Sequence, residues 1–169
     1  KAQQLKDSCL SRLWNGSYLV RGLTEYGSPD MTVDSSVLGA LVPFELIDIS
    51  NPSQKAMLES TIEVVERSLE VEVHGLTESQ VGRGIRRYEN DSYAGGPAAA
   101  VNTLWMALVQ LKMAEQESAS EDAQVRIEKA MGYMRTCLSR ATPTGLLPEL
   151  MGGPEGAPWW AAPHAWWFP

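Results

Sequence analysis

The chain has 169 residues, a formal net charge of -7 and an ordinary globular share of apolar residues, enough for one domain with a real core. Its acidic balance excludes a nucleic-acid binder, which needs a basic footprint, and no apolar run approaches the roughly 18 residues of a membrane span. Cys9 and Cys137 are too few for a disulfide scaffold, though one bridge is possible.

Periodicity predicts five helices in chain order. The first covers about 2–13, with Leu5, Cys9 and Leu13 on one face. Asp34 reads as the N-cap of a second, 35–48, carrying Val37, Leu38, Leu41, Val42 and Phe44, with Pro43 kinking or interrupting it. Asn51-Pro52-Ser53 opens a third, which runs to about Glu70 with Leu58, Ile62, Val65 and Leu69 as its buried stripe. The fourth spans about 98–117. The fifth, about 121–140, has Ile127, Met131, Met134 and Leu138 at helical spacing.

The second and fourth helices are apolar nearly all round, whereas the third and fifth are amphipathic. Inner helices covered by outer ones follow from that alternation. No strand pattern competes, so the expected fold is all-α. The connections 14–33, 71–97 and everything after 140 are long, and antiparallel neighbours would bring them out at one end of the array. Loops of this length are uncommon unless functional.

Two of these connections carry chemistry. Gly84-Ile85-Arg86-Arg87-Tyr88-Glu89-Asn90-Asp91-Ser92-Tyr93-Ala94-Gly95-Gly96 mixes guanidinium forks, carboxylates and aromatic faces, which suits a sugar with directed hydroxyls and stackable ring faces. On composition alone, a solvated loop with structural ion pairs fits equally well. In the second, Glu149 stands between apolar residues just before a stretch rich in Gly, Pro and Trp. A carboxylate so placed is a candidate acid or base. His74 and His164 are too distant in sequence to suggest a metal site, and no cofactor is implied.

Arg86-Arg87-Tyr88-Glu89-Asn90-Asp91-Ser92-Tyr93, then Gly95-Gly96-Pro97 leading into Thr103-Leu104-Trp105, resembles the glucoamylase and glucodextranase-like glycoside hydrolases of family 15. There the pattern is close to G-I-R-R-Y-E-x-D-x-Y-x-G-G-N-P-W before a T-L-W helix. Gly145-Leu146-Leu147-Pro148-Glu149 matches the family's G-L-L-P-E-Q, and Pro163-His164-Ala165-Trp166 falls where the family has P-L-x-W-S-x-A. The three motifs occur in order over about 80–169. Departures are Pro97-Ala98-Ala99 in place of N-P-W, Leu150 in place of the Gln, and Trp166-Trp167-Phe168-Pro169 at the end.

The resemblance implies an (α/α)6 barrel, of which residues 1–169 would supply about five of twelve helices as a partial catalytic domain. It implies an inverting, exo-acting α-glycosidase cleaving α-glucans or α-glucosides from the non-reducing end. Glu149 would be the general base, Arg87 the holder of substrate hydroxyls, and Arg86, Tyr88, Asp91 and Trp166 further substrate-binding residues. The family's general acid lies on an earlier loop, which would precede Lys1, so the chain by itself is expected to be nearly inactive. A complementary chain or segment would then complete the barrel. The alternative is a non-catalytic carbohydrate-binding or regulatory module on the same frame; a third reading is a structural helical domain with remnant motifs. The compartment is not assigned, because the opening Lys1-Ala2-Gln3 leaves any targeting signal upstream.

Overall fold

A computed structural model describes residues 1–74, 81–117 and 120–152, together with the backbone of 158–159. Helix α1 is Ala2–Leu13. Its buried residue is Leu10; of the expected line, Leu13 packs partly against the core and Cys9 is half-buried, while Leu5 is exposed. The segment expected as a second helix forms only a 3-10 turn, Ser35–Ala40. Asp34 does cap it, accepting from the Ser36 N–H at 2.8 Å. Beyond it the chain cannot continue as a regular helix through Pro43, which lacks an N–H.

Helix α2, Pro52–Leu69, forms where the sequence puts it. Asn51 accepts from the Ser53 and Gln54 N–H groups at 3.0 and 3.2 Å, satisfying two of the free donors at the helix start. Leu58, Ile62, Val65 and Leu69 are all buried. The following stretch is a hairpin rather than a loop: β1, Glu70–His74, pairs antiparallel with β2, Val81–Ile85, from Glu70↔Ile85 to His74↔Val81. Glu70-Val71-Glu72-Val73 alternates with period two, and Val73 is buried while Glu72 is exposed. Gly82 allows β2 to lie against a helix, since a Cβ there would collide with Thr136.

Helix α3, Ala100–Gln116, is preceded by β3, Ala98–Ala99. Helix α4 is Glu121–Ser139. The Ser120 hydroxyl accepts from the Ala123 N–H at 3.1 Å, and Glu121 and Asp122 sit in the first turn, where the helix dipole favours them. Two short strands follow, β4, Leu150–Met151, and β5, Pro158–Trp159, giving a three-stranded antiparallel sheet in the order β3-β4-β5.

The all-α expectation is therefore corrected. The described chain is mixed, with four α-helices and two small antiparallel sheets. A share of a purely helical (α/α)6 barrel, with about five of twelve helices and structureless loops gathered at one end, does not describe it. The physical reason lies in pairing: strands of two residues carry no legible period, and their backbone groups find partners some fifty residues away, Ala98↔Met151 and Ala99↔Leu150.

The main core joins Leu58, Ile62 and Leu69 of α2, Leu38 and Leu41, and Met106, Val109 and Met113 of α3. A smaller cluster, Val73, Ala98, Ala100, Cys137 and Met151, lies between the hairpin and the second sheet. Burial pushes the Cys137 thiol up to about 12. Helix α4 meets this body along Ala123, Ala130, Tyr133, Thr136 and Cys137. Of the stripe expected on it, Ile127, Met131 and Leu138 face outward, and Met134 packs partly against the core. Hydrogen bonds fix this rotation: the Tyr133 hydroxyl donates to Glu70 Oε2 at 2.5 Å, and Thr136 Oγ1 accepts from the Arg83 N–H at 3.2 Å.

Candidate functional site

The loop after β2 is anchored by its backbone. Arg86 N–H donates to the Leu69 carbonyl at 2.9 Å, Ser35 N–H donates to the Arg87 carbonyl at 2.8 Å, and Glu89 N–H donates to the Val33 carbonyl at 3.0 Å. Ser35 is fully buried, and its hydroxyl lies 2.8 Å from both the Arg86 and Arg87 carbonyls while accepting from Asn102 of α3 at 2.6 Å. The loop thus rests on the helical body at residues 86–89.

Arg87 and Asp91 form the centre. Arg87 Nε and Nη2 donate to Asp91 Oδ2 and Oδ1, both at 2.7 Å, in a forked pair. Asp91 also accepts from the Tyr93 N–H at 3.0 Å, and its side chain is only 1% exposed. Burial alone would raise its pKa. The Arg87 guanidinium and the Tyr93 N–H outweigh that, so the carboxyl sits below its ordinary value. Asp91 is consequently ionised and acts as an acceptor. The same pair holds the Arg87 pKa above its ordinary value, with Glu149 adding a smaller attraction.

Tyrosines flank the guanidinium. Its Cζ lies 4.5 Å from the Tyr93 ring centroid and 5.3 Å from that of Tyr88, within cation–π range. Tyr93 follows from a tight backbone reversal: Ala94, Gly95 and Gly96 have φ of 51°, 82° and 64°. At Gly96 a Cβ would run into the Asp91 carbonyl, so the turn closes only with glycine. Ala94 in this region costs roughly 1–2 kcal/mol, a strain of the kind concentrated at functional segments.

Glu149 is brought to this loop by the second sheet. Its carbonyl accepts from the Ala100 N–H at 3.1 Å, one residue before β4, which fixes it beside the start of α3. Glu149 Oε2 lies 3.5 Å from the Tyr93 hydroxyl. The carboxylate is half-buried, next to buried Pro148 and Leu150.

Arg87, Tyr88, Asp91 and Glu149, some sixty residues apart at the extremes, therefore share one locale. Arg86 points out to solvent and makes no ion pair among the described residues. Trp166 lies outside the described residues, as does His164. Tyr93 is the residue that the sequence reading missed: it joins the arginine fork to the carboxylate. Its position in the motif, two residues after Asp91 and before the glycine pair, was the available signal.

One feature decides what the arginine can do. Both of its bonds fall on the edge bearing Nε and Nη2, and Nη1 makes no hydrogen bond among the described residues. A guanidinium has five N–H donors, and the two bonds to Asp91 use one edge of this fork. Cavities of about 620 and 700 Å³ lie elsewhere, lined by residues of α2, β2 and α4, and include none of these groups.

Over 139 residues, 81% of its length, the chain is 29% identical to a Methanocaldococcus jannaschii protein named as an uncharacterized glycosyl hydrolase. The chain is similar to a glycosyl hydrolase. It spans about one fifth of that relative's length, 20%. No protein-family model matches the chain. No helix among the described residues is long and apolar enough to cross a membrane.

Proposed function

We propose that this chain acts in carbohydrate hydrolysis, as part of the catalytic domain of an inverting, exo-acting α-glycosidase of glucoamylase type. Its substrate is an α-glucan or α-glucoside attacked from the non-reducing end. The supporting observation is the Arg87 fork, with Nη1 making no hydrogen bond among the described residues, stacked on Tyr93 and joined through the Tyr93 hydroxyl to Glu149. A donor edge, an aromatic face and a carboxylate within one locale are what a sugar ring with a water beside it requires. The similarity to a protein named as a glycosyl hydrolase supports the same reaction class.

In this reading Arg87 donates to hydroxyls of the terminal sugar, while Tyr88 and Asp91 hold the fork flat and charged. Arg86 and Trp166 contribute further contacts to the glucan. Glu149 takes a proton from a water molecule as that water attacks the anomeric carbon from the face opposite the leaving group. The glycosidic bond breaks, and a carboxylic acid on the other face gives its proton to the departing oxygen. Asp91 cannot be that acid, because its two oxygens are committed to Arg87 and it stays ionised. The acid and the remaining wall of the site come from a part of the protein outside this chain, or from a complementary chain, consistent with a relative of which this chain covers only 20%. Alone, this chain is inactive.

The commitment of Asp91 also favours a second reading, a non-catalytic carbohydrate-binding or regulatory module that retains the arginine fork without the reaction. Turnover separates the two. In the full-length protein, Glu149→Gln keeps the shape and removes the base, and kcat on maltose or isomaltose should fall by about 10²–10⁴-fold with KM little changed. The first product, followed by NMR, should have inverted anomeric configuration. A near-normal kcat in Glu149→Gln, or a retained configuration, overturns the assignment. Maltose binding without turnover in the full-length protein selects the second reading.

A further inference from the structure

A different concavity lies at the start of β2, away from the arginine loop. A cavity of about 620 Å³ opens between that strand and α4. One side of it is the α4 face bearing Lys129, Gly132, Tyr133 and Thr136, positions that share one side of a helix, with Arg140 just beyond its end. Arg83 and Arg135 also line it.

Its charge is opposite to that of the chain. Against a formal net charge of -7, four cationic side chains line this cavity with one carboxylate, Glu70. Lys129 is committed to Glu66 at 2.6 Å. Arg83 reaches Glu70 at 3.3 Å yet stays 59% exposed. Arg135 is exposed and makes no ion pair among the described residues. Arg140 lines the wall as a buried side chain, 2% exposed.

Gly132 gives this cavity its room. Glycine inside a helix is destabilising relative to alanine, so its presence calls for a reason. Gly82, across the cavity, has one in the contact with Thr136. Gly132 does not: a Cβ there would find nothing within 4 Å. A side chain at this position would fill the cavity rather than strain the fold.

We propose that this cavity binds a small organic oxyanion, its phosphate-class headgroup held by Arg83 and Arg135 and its body lying over Gly132 against Tyr133. The volume falls in the range of sites for small organic ligands and is far larger than one phosphate ion needs. The test uses the full-length protein, deuterated for amide NMR, titrated at low salt with inorganic phosphate, with glucose 6-phosphate, and with glucose as the neutral control. Saturable shifts of the Gly82 and Gly132 amides are expected with both anions, tighter for glucose 6-phosphate, weakened by added NaCl, and absent with glucose. Gly132→Leu should melt no lower than the parent and lose the shifts. Arg135→Ser, an exposed change that leaves the fold intact, should weaken binding at least about tenfold, the loss typical of one charged hydrogen bond. No saturable binding of either anion overturns the site, as does undiminished binding by both variants. Saturation by inorganic phosphate alone overturns the organic ligand.

Discussion

Arg87 and Arg126 each fork onto a carboxylate, and the contrast between them separates a binding group from a structural one. Arg126 Nε reaches both Glu117 oxygens at 2.9 and 3.0 Å, Nη1 donates to Gln110 Oε1 at 3.0 Å, and Nη2 approaches Glu59 at 3.4 Å. Its partners come from α2, from α3 and from the residue that ends α3, so its charge is spent on tying helices together. Arg87 spends its two side-chain bonds among the described residues on one residue four positions away, and its Nη1 makes none there. The Arg126 network continues through Gln110 to Glu66 at 2.9 Å and from there to Lys129. The Arg87 pair instead ends on two aromatic rings and a neighbouring Glu149. Both places pair an arginine with a carboxylate; what differs is how many of its donors are used among the described residues.

That comparison can be broken most directly at Arg126. Arg126→Ala removes links among three helices and should cost about 2–3 kcal/mol, the range for charged hydrogen bonds, lowering the melting temperature by roughly 4–12 °C. Sugar affinity should stay unchanged. A thermal melt alongside a maltose titration of the full-length protein checks both halves, and a loss of affinity would erase the distinction. Arg87→Lys is the reverse case. It keeps a cation for buried Asp91 but discards the planar fork, so maltose affinity should drop by about tenfold while the melt moves less than in Arg126→Ala.

Acid sharpens the same contrast. The Asp91 carboxyl is depressed in the folded state, so its contribution to stability is present above the ordinary carboxylate value and is lost as pH falls through the lower folded value. Asp91→Asn should accordingly flatten the fall in stability below about pH 4, a range set by the ordinary Asp pKa. Urea melts from pH 2 to 7 measure it; an unchanged acid limb would show that the fork does not hold Asp91. The smallest effect is expected of Tyr93→Phe, which keeps the ring beside Arg87 and removes a hydroxyl 3.5 Å from Glu149. At that distance the loss should stay within about 1 kcal/mol, visible as a modest shift in the pH profile of kcat/KM.

The helices that could be read from the residues are those with local causes. Helix α2 has a capping Asn51, Pro52 at its start and a regular apolar stripe, and it forms as read. Helix α4 was legible in extent but not in orientation, because Tyr133 and Thr136 gain partners on β1 and β2 that the helix sequence does not reveal. The hairpin is harder to read although Glu70-Val71-Glu72-Val73 alternates, since Gly82 and Gly84 in its second strand look like loop residues. For Gly82 the need is contact with α4, a tertiary fact.

Sequence alone determined the chemistry available: the arginine pair, Asp91, the glycine turn at Gly95-Gly96 and Glu149 are all readable as motifs. It could not determine that Glu149 stands beside Tyr93. That depends on the pairing of Ala99 with Leu150 and of the Ala100 N–H with the Glu149 carbonyl. Backbone hydrogen bonds are nearly identical for every residue type, so a sequence carries little record of which distant strand will satisfy them. Side-chain identity is local, and the choice of partner is made only when the chain closes on itself.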